Sequence, residues 1–141
     1  MQGRNRGQLV GKGVEGKRFM SNGIKGIGCD IVSVCRVKRL MEKPRFLEKV
    51  YTSCEQAYCR EHSACTAAGI WAAKEAVSKA LGTGFSRFTV LHVELYHDPA
   101  GQPQVVLHNG AKTAAALRRI ECLHVSISHE TDWAIAFAVA E

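Results

Sequence analysis

Residues 123–140 read LHVSISHETDWAIAFAVA, the most regularly patterned segment of the chain. Apolar and polar residues alternate from 123 to 127, and from 133 to 140 every second residue is alanine while the residues between are large. Such alternation is typical of strands with two different faces. The residues His-Glu-Thr-Asp between the two segments favour a turn. The stretch therefore predicts a β-hairpin with one small-residue face, against which a helix can pack closely.

The segment suited to cover that face is a long alanine-rich helix predicted over residues 65–81. Gly82 follows it, in the position where glycine commonly ends a helix. Ile70, Ala73 and Val77 fall on one side of it at helical spacing. We therefore predict an α+β fold in which an antiparallel sheet packs on one long alanine-rich helix.

The rest of the chain predicts further strands and shorter helices. In chain order we expect a strand over 23–34, a short helix over 33–42 ended by Pro44, a helix from the capping box Thr52-Ser53-Cys54-Glu55 to about 62, a strand over 87–97, a turn at 98–101, a return strand at 105–107, and a helix over 110–119 capped by Asn109.

Residues 1–19 differ from the rest in composition. They are rich in glycine and carry five basic residues against one acidic residue, a net +4 of the chain's +6. Because they have little apolar content to pack, we predict a disordered basic extension or tag at 1–19 and one folded domain at 20–141. A nucleic-acid-binding arm is the rival interpretation, but only Phe19 places an aromatic ring among these charges, and we expect no nucleic-acid partner.

The cysteines and the apolar runs indicate the compartment. The six cysteines show no Cys-x-x-Cys spacing and no secretory signal precedes them, so we expect reduced thiols in a cytoplasmic protein. No apolar run approaches the ~18 residues that a membrane helix needs, and we expect no membrane association.

Three charged residues are candidates for chemistry. Asp30 lies within a mostly apolar strand and needs a cation or hydrogen-bond donors, although from its position alone a capping role for the next helix explains it. Glu75 and Lys79 are one helical turn apart, the spacing of an ordinary exposed ion pair. Small neighbours such as Ala72 and Ala76 would nevertheless let a ligand or a second chain approach them.

Histidine and cysteine spacing argues against a zinc site. The pairs His92/His97 and His124/His129 are each separated by five residues, which puts the members of a pair on opposite faces of a strand. The cysteines at 29, 35, 54, 59 and 65 lack finger spacing. Ser128 and His129 also face apart as strand neighbours, so we expect His129 to face a phosphate or solvent.

A basic cluster follows the first strand, with Glu42 as its one acidic member. It is either a solvated helix face or a docking surface for an acidic protein or for phosphates. Its members are Arg36, Lys38, Arg39, Lys43 and Arg45.

Five segments, in this order, resemble holo-acyl-carrier-protein synthase, the small bacterial type of 4′-phosphopantetheinyl transferase. They are GIGCDIVSVCRV (26–37), RFLEKVYTSCE (45–55), WAAKEAVSKALGTGF (71–85), GQPQVVL (101–107) and HVSISHETDWAIAFAV (124–139). The similarity covers about residues 23–140, and the first and third motifs together are specific.

The resemblance implies a reaction and its site. The family moves 4′-phosphopantetheine from coenzyme A to a serine of apo-acyl carrier protein and releases adenosine 3′,5′-bisphosphate. It implies Mg²⁺ held by Asp30 and Glu75, with Lys79 as a catalytic residue that contacts phosphate. His129 would lie near the coenzyme A phosphates, and Gly101 and Pro103 near the adenine. The serine proton could go to Glu75 or to a metal-bound water.

The resemblance also implies partners. Arg36 and the basic helix, with the other members of the basic cluster, match the surface that receives acidic carrier protein. The family is typically a homotrimer with active sites between subunits, which would make the alanine faces an interface. A catalytically inactive module that binds coenzyme A or carrier protein is the alternative function, against which the intact Asp30, Glu75 and Lys79 argue.

Three features depart from the family pattern. Ser33 stands where an acidic residue is frequent, and Ile70 stands where the family often has Arg or Lys. The extension at 1–19 matches nothing in the family.

Overall fold

The computed structural model describes residues 23–141, so the predicted extension at 1–19 lies outside the described residues. Two short 3₁₀ turns, Gly84–Ser86 and Val90–His92, separate the first and second halves of the fold. The helices and strands are β1 (Gly26–Ser33), α1 (Val34–Met41), α2 (Pro44–Val50), α3 (Ser53–Glu61), α4 (Ala64–Ala80), β2 (Val93–His97), β3 (Pro103–Leu107), α5 (Asn109–Leu117), β4 (Leu123–His129) and β5 (Trp133–Ala140).

Two antiparallel sheets pack with α4, which confirms the predicted α+β class. The larger sheet has the order β1-β5-β4, and β2 pairs with β3 in the smaller one. The predicted hairpin forms β4 and β5, with Ile127 opposite Ala136. On the other side of β5, Asp30 of β1 is also opposite Ala136. The last hairpin of the chain therefore forms the centre and one edge of the sheet on which α4 lies.

The alanine face of β5 is core. Ala134, Ala136, Ala138 and Ala140 are at most 1% exposed. The expectation that the alanine faces form a subunit interface is therefore wrong for this strand, since α4 already covers that face. The large residues of β5 point to the opposite, outer face of the sheet.

Glycines in β1 allow α4 to approach closely. A Cβ atom added at Gly28 would lie 1.9 Å from the carbonyl oxygen of Ala76, and one at Gly26 would lie 2.0 Å from that of Ala80. Contacts this short cannot be relieved without moving the helix, because the obstructing atoms are backbone. Because glycine has no side chain, Gly26 and Gly28 allow β1 and α4 to lie at this short distance.

We predict that Gly28→Ala destabilises the protein strongly. Overpacking typically costs about 1–3 kcal/mol, and here relief would require shifting a backbone carbonyl, so we expect a loss at or above the upper end. Denaturant unfolding measures it. Gly101→Ala is the comparison variant, since its Cβ would meet nothing within 4 Å and only its φ of +83° costs energy. An equal loss in both variants would contradict the close-packing account.

The predicted caps mostly form. The Ser33 side chain accepts a hydrogen bond from the Arg36 backbone N–H at 3.3 Å, which gives Ser33 a structural role where the family often has an acidic residue. Thr52 and Glu55 form the complete capping box of α3. Gly82 has a φ of +81° directly after the last turn of α4, as predicted.

Three local predictions were wrong. Pro44 does not merely end α1; it is the first residue of α2, where its missing N–H costs nothing. Asn109 does not cap α5, because it adopts a φ of +44° and His108 takes the capping position. The strand predicted over 87–97 is limited to Val93–His97, since a 3₁₀ turn precedes it.

A buried ion pair, which the sequence did not predict, ties α3 to α4. Lys74 and Glu55 are both at most 1% exposed, and Lys74 Nζ donates to Glu55 Oε2 at 2.5 Å and to the Val50 carbonyl at 2.7 Å. The Leu95 N–H donates to Glu55 Oε1 at 2.8 Å. Because both buried charges have hydrogen-bond partners within the fold, this pair fixes the rotation of α4 about its axis. Glu75 follows Lys74 on α4, so its direction is fixed with it.

Candidate active site

Asp30, Glu75 and Lys79 come together between β1 and α4. Asp30 shares the inner face of β1 with Gly28, and its side chain is 20% exposed. Lys79 Nζ donates to Asp30 Oδ1 at 2.9 Å and to the Cys29 carbonyl at 2.8 Å. The hydrogen-bonded partner of Lys79 is thus Asp30 across the packing interface rather than Glu75 one turn away.

The electrostatics of this cluster favour an added cation. The pKa of Glu75 is raised, mainly by burial and then by the neighbouring Asp30 carboxylate, while Trp71, Lys79 and Arg36 oppose the rise. The pKa of Lys79 is raised by its hydrogen bond to Asp30. Two carboxylates that repel each other in a half-buried site are a donor set suited to Mg²⁺, which binds through one or two carboxylates.

Arg36 is held beside this cluster. Its guanidinium lies over the Trp71 ring, 5.1 Å from the ring centroid, and Phe46 packs edge-on against the same ring at 5.1 Å. A cation over an aromatic face is attracted to it. Arg36 therefore belongs both to the basic cluster and to the surroundings of Glu75.

Gly101, Pro103 and His129 line one cavity. Its volume is about 250 Å³, and Ile70 and Ile127 contribute apolar walls. Ile70, at the position where the family often has a cation, is 2% exposed and is part of the core. A larger cavity of about 700 Å³ beside α5 contains none of the predicted site residues.

Aromatic stacking forms a further wall of this cavity, and sequence reasoning missed it. Tyr58 stacks on His97, with ring centroids 5.0 Å apart, and on His62 at 4.0 Å. Tyr58 and His97 both line the cavity. These residues come from α3 and β2, and no spacing in the sequence connects them.

The two groups of predicted site residues lie on opposite edges of the sheet. Asp30 is on β1 and His129 is on β4, with β5 between them. The backbones of two strands that flank a third are about 10 Å apart. One chain therefore does not place His129 beside Lys79, although both are assigned to coenzyme A phosphates by the resemblance.

The basic cluster is a surface formed by two helices rather than one. α1 ends at Met41, Lys43 is the N-cap of α2 and Arg45 lies within α2. Arg36, Arg39 and Lys43 line a cavity of about 410 Å³ together with Leu40 and Glu42. All five basic residues of the cluster are exposed.

Comparison with known proteins identifies the class. The family model of the 4′-phosphopantetheinyl transferase superfamily matches residues 26–138. The chain is 43% identical over 121 residues to the holo-[acyl-carrier-protein] synthase of Clostridium acetobutylicum, covering 84% of this chain and 98% of that protein.

Solved structures agree with this. The holo-[acyl-carrier-protein] synthase of Neisseria meningitidis has a TM-score of 0.78 at 31% identity, covering 84% of this chain and 99% of that one. That of Helicobacter pylori, solved in complex with coenzyme A, has a TM-score of 0.72 at 33% identity, covering 82% and 99%. The chain belongs to the holo-[acyl-carrier-protein] synthase family of this superfamily.

No helix within residues 23–141 is long and apolar enough to cross a membrane.

Proposed function

We propose that this protein transfers 4′-phosphopantetheine from coenzyme A to a serine of apo-acyl carrier protein, giving holo-acyl carrier protein and adenosine 3′,5′-bisphosphate. The observation that carries the proposal is the cluster of Asp30, Glu75 and Lys79 between β1 and α4. Phosphoryl-type transfer depends on positioned charges more than on a covalent catalyst. This cluster supplies two carboxylates and the ammonium group of Lys79.

Asp30 and Glu75 would hold Mg²⁺, which would neutralise charge on the coenzyme A diphosphate when bound. Lys79, whose side chain is 49% exposed, is placed to donate to a phosphate oxygen. The serine oxygen forms a bond to phosphorus, and the bond to the leaving adenosine 3′,5′-bisphosphate breaks. The serine proton would go to Glu75 or to a water molecule.

Coenzyme A would also use the cavity lined by Gly101, Pro103 and His129. The stack of Tyr58 on His97 gives that cavity a flat aromatic wall beside these three residues. An aromatic wall with a few polar groups is typical of a small-molecule site. His129 is exposed, as a contact to a phosphate would require.

We propose a homotrimer with active sites between subunits. The outer face of β1 and β5 carries four large exposed apolar residues, Ile27, Ile31, Trp133 and Phe137, at 71%, 59%, 53% and 54% exposure. A contiguous apolar patch on a sheet face is typical of a subunit interface. Assembly through this face would let one subunit's Lys79 cluster meet a neighbour's His129 cavity, which one chain alone keeps apart.

The reaction would take place in the cytoplasm. All six cysteines lie within the described residues and are free thiols. This agrees with a reducing compartment, where acyl carrier protein and coenzyme A would be the partners.

The release of adenosine 3′,5′-bisphosphate tests the function. Incubation of the protein with coenzyme A, apo-acyl carrier protein and Mg²⁺ should release this product, and omission of the carrier protein should prevent its release. Chromatography of the nucleotides measures it. Binding of coenzyme A without any release would instead identify an inactive binding module.

The basic cluster should dock the acidic carrier protein. Lys38→Glu combined with Arg39→Glu should raise KM for carrier protein about tenfold or more and leave coenzyme A affinity nearly unchanged, because electrostatic steering acts on encounter. Steady-state kinetics with each substrate varied in turn measures this. Added salt should weaken the wild type in the same direction.

The matched control is Lys112→Glu combined with Arg87→Glu, which makes the same change of charge at exposed positions outside the cluster. Docking by the cluster is contradicted if both double variants raise KM equally, or if both substrates are affected alike.

A further inference from the structure

Three metal-ligating side chains meet at one end of the outer sheet face. Cys122 and His124 are two residues apart, so they share a face at the start of β4. Glu141 follows β5 and lies directly across from Cys122, with both backbone hydrogen bonds formed between them at 2.9 and 3.0 Å. Among residues 23–141, this is the group of His, Cys and carboxylate side chains whose three ligand atoms lie within 4.8 Å of one another.

The distances fit a small tetrahedral ion. Zinc bonds of about 2.0 Å to nitrogen or oxygen and about 2.3 Å to sulfur place tetrahedral ligand atoms about 3.3–3.6 Å apart. His124 Nε2 and Glu141 Oε2 are already 3.6 Å apart. All three ligand atoms lie within 4.8 Å of one another, and the backbone pairing of Cys122 with Glu141 keeps the sulfur atom close to that separation.

The nearest lysine does not occupy the ligand atoms of this group. Lys25 lies beside the end of β5, where its N–H donates to the Ala140 carbonyl at 2.7 Å. Its ammonium group donates to the Arg119 carbonyl, so it does not pair with Glu141. A thiolate and a carboxylate together supply two negative charges, and Glu121 is exposed nearby.

An ordinary surface ion pair would account for the proximity of His124 and Glu141 without a metal ion. A second His–Glu pair of this kind occurs in the protein, where His108 Nε2 lies 3.6 Å from Glu94 Oε1. The feature that distinguishes the β4–β5 end is the sulfur atom of Cys122 within reach of both partners.

We propose that Cys122, His124 and Glu141 form a site for Zn²⁺, separate from the carboxylates of the active site. Three protein ligands of this mixed kind leave a fourth position for water. Thiolate and imidazole select zinc over magnesium, which prefers oxygen ligands. Histidine spacing along single strands cannot reveal a site built across two strands, and Cys122 lies outside the cysteine spacing at 29–65, so the expectation of no zinc site does not extend to this group.

Cobalt and zinc titrations test the proposal on the whole protein in its native oligomeric state, metal-stripped, reduced and with excess Mg²⁺ present. We expect one equivalent of Zn²⁺ per chain by calorimetry. Co²⁺ should give the near-ultraviolet charge-transfer band of a thiolate ligand. Cys122→Ser should abolish the band and lower zinc affinity by at least about 100-fold, since loss of even an outer-shell partner costs about 10–100-fold. His124→Ala should weaken zinc binding similarly.

Two matched controls distinguish this site from nonspecific binding of metal ions by other thiols and histidines. Cys54→Ser removes another exposed thiol, and His108→Ala removes the histidine of the equivalent His–Glu pair that lacks sulfur. Both should keep the cobalt band and the zinc affinity. The proposal is overturned if the wild type gives no thiolate band, if Cys122→Ser retains it, or if Cys54→Ser loses it. None of these outcomes depends on transferase activity.

Discussion

Replacing Asp30 or Glu75 with alanine should lower the rate of phosphopantetheine transfer by at least about 10²- to 10³-fold, the usual cost of removing one group that stabilises charge in a transition state. Each carboxylate is proposed to hold the cation on which the diphosphate chemistry depends. Transfer rates at saturating coenzyme A and carrier protein measure the effect. Calorimetry should show that Mg²⁺ no longer strengthens coenzyme A binding in either variant.

The fold should survive these changes. The ion pair of Asp30 with Lys79 is partly exposed, and such pairs contribute about 0–1 kcal/mol. Lys79 also keeps its bond to the Cys29 carbonyl. Because the folded-state pKa of Glu75 is raised, ionisation of Glu75 costs stability as pH rises through its unfolded and folded pKa values.

Glu75→Gln gives a sharper form of this test. The neutral side chain avoids the cost of ionisation, so near neutral pH without metal this variant should melt at the wild-type temperature or above. Mg²⁺ should raise the melting temperature of the wild type but not that of the variant.

Glu121→Gln, at an exposed carboxylate away from the cluster, should behave as wild type in rate and in its response to Mg²⁺. Near-normal turnover by Asp30→Ala at low Mg²⁺ would show that the two-carboxylate site is wrong.

Phe137→Asp should dissociate the proposed homotrimer into monomers and lower the transfer rate by at least about 100-fold. Burial of a phenylalanine side chain contributes about 1.5–3 kcal/mol, and an unpaired carboxylate in its place adds a desolvation cost. Activity should fall with the loss of the trimer because Asp30, the β1 partner of Lys79, and His129 on β4 lie on opposite edges of the sheet within one chain. Light scattering during size-exclusion chromatography measures the mass of the assembly.

Leu117→Asp is the control for this change. Leu117 is 73% exposed on α5, away from the outer sheet face, so the same substitution there should leave both mass and activity unchanged. A monomeric Phe137→Asp protein with full activity would contradict an active site shared between subunits. A variant of unchanged mass would contradict the outer face as the interface.

The parts of the fold with strict periodicity were predictable from the sequence. The alternation of alanine with large residues at 133–140 predicted β5, and alanine content with Gly82 predicted α4. Pro44 is compatible with both the end and the first turn of a helix, so α2 was missed. Alternation over 87–97 did not distinguish a strand from a 3₁₀ turn followed by a short strand.

The site was less predictable because its contacts are tertiary. The position of Asp30 alone favoured a capping role, yet Ser33 caps α1 and Asp30 bonds Lys79. That pairing depends on the close approach of β1 and α4. Likewise, nothing local marks Lys74 as the buried partner of Glu55, since the capping box alone accounts for a glutamate at this position. The resemblance supplied the candidate functional residues. The packing of β1 on α4 brings three of them together, Asp30, Glu75 and Lys79.

The mass of the carrier protein after reaction shows whether the phosphopantetheine group has been transferred. Apo-acyl carrier protein incubated with this protein, coenzyme A and Mg²⁺ should gain about 340 Da, the mass of one phosphopantetheine group transferred as a phosphoryl-type step. The gain should map to one serine, and it should disappear when Mg²⁺ is chelated or when Asp30→Ala replaces the wild type. An unchanged carrier-protein mass under conditions where the wild type is folded and binds coenzyme A would contradict the account.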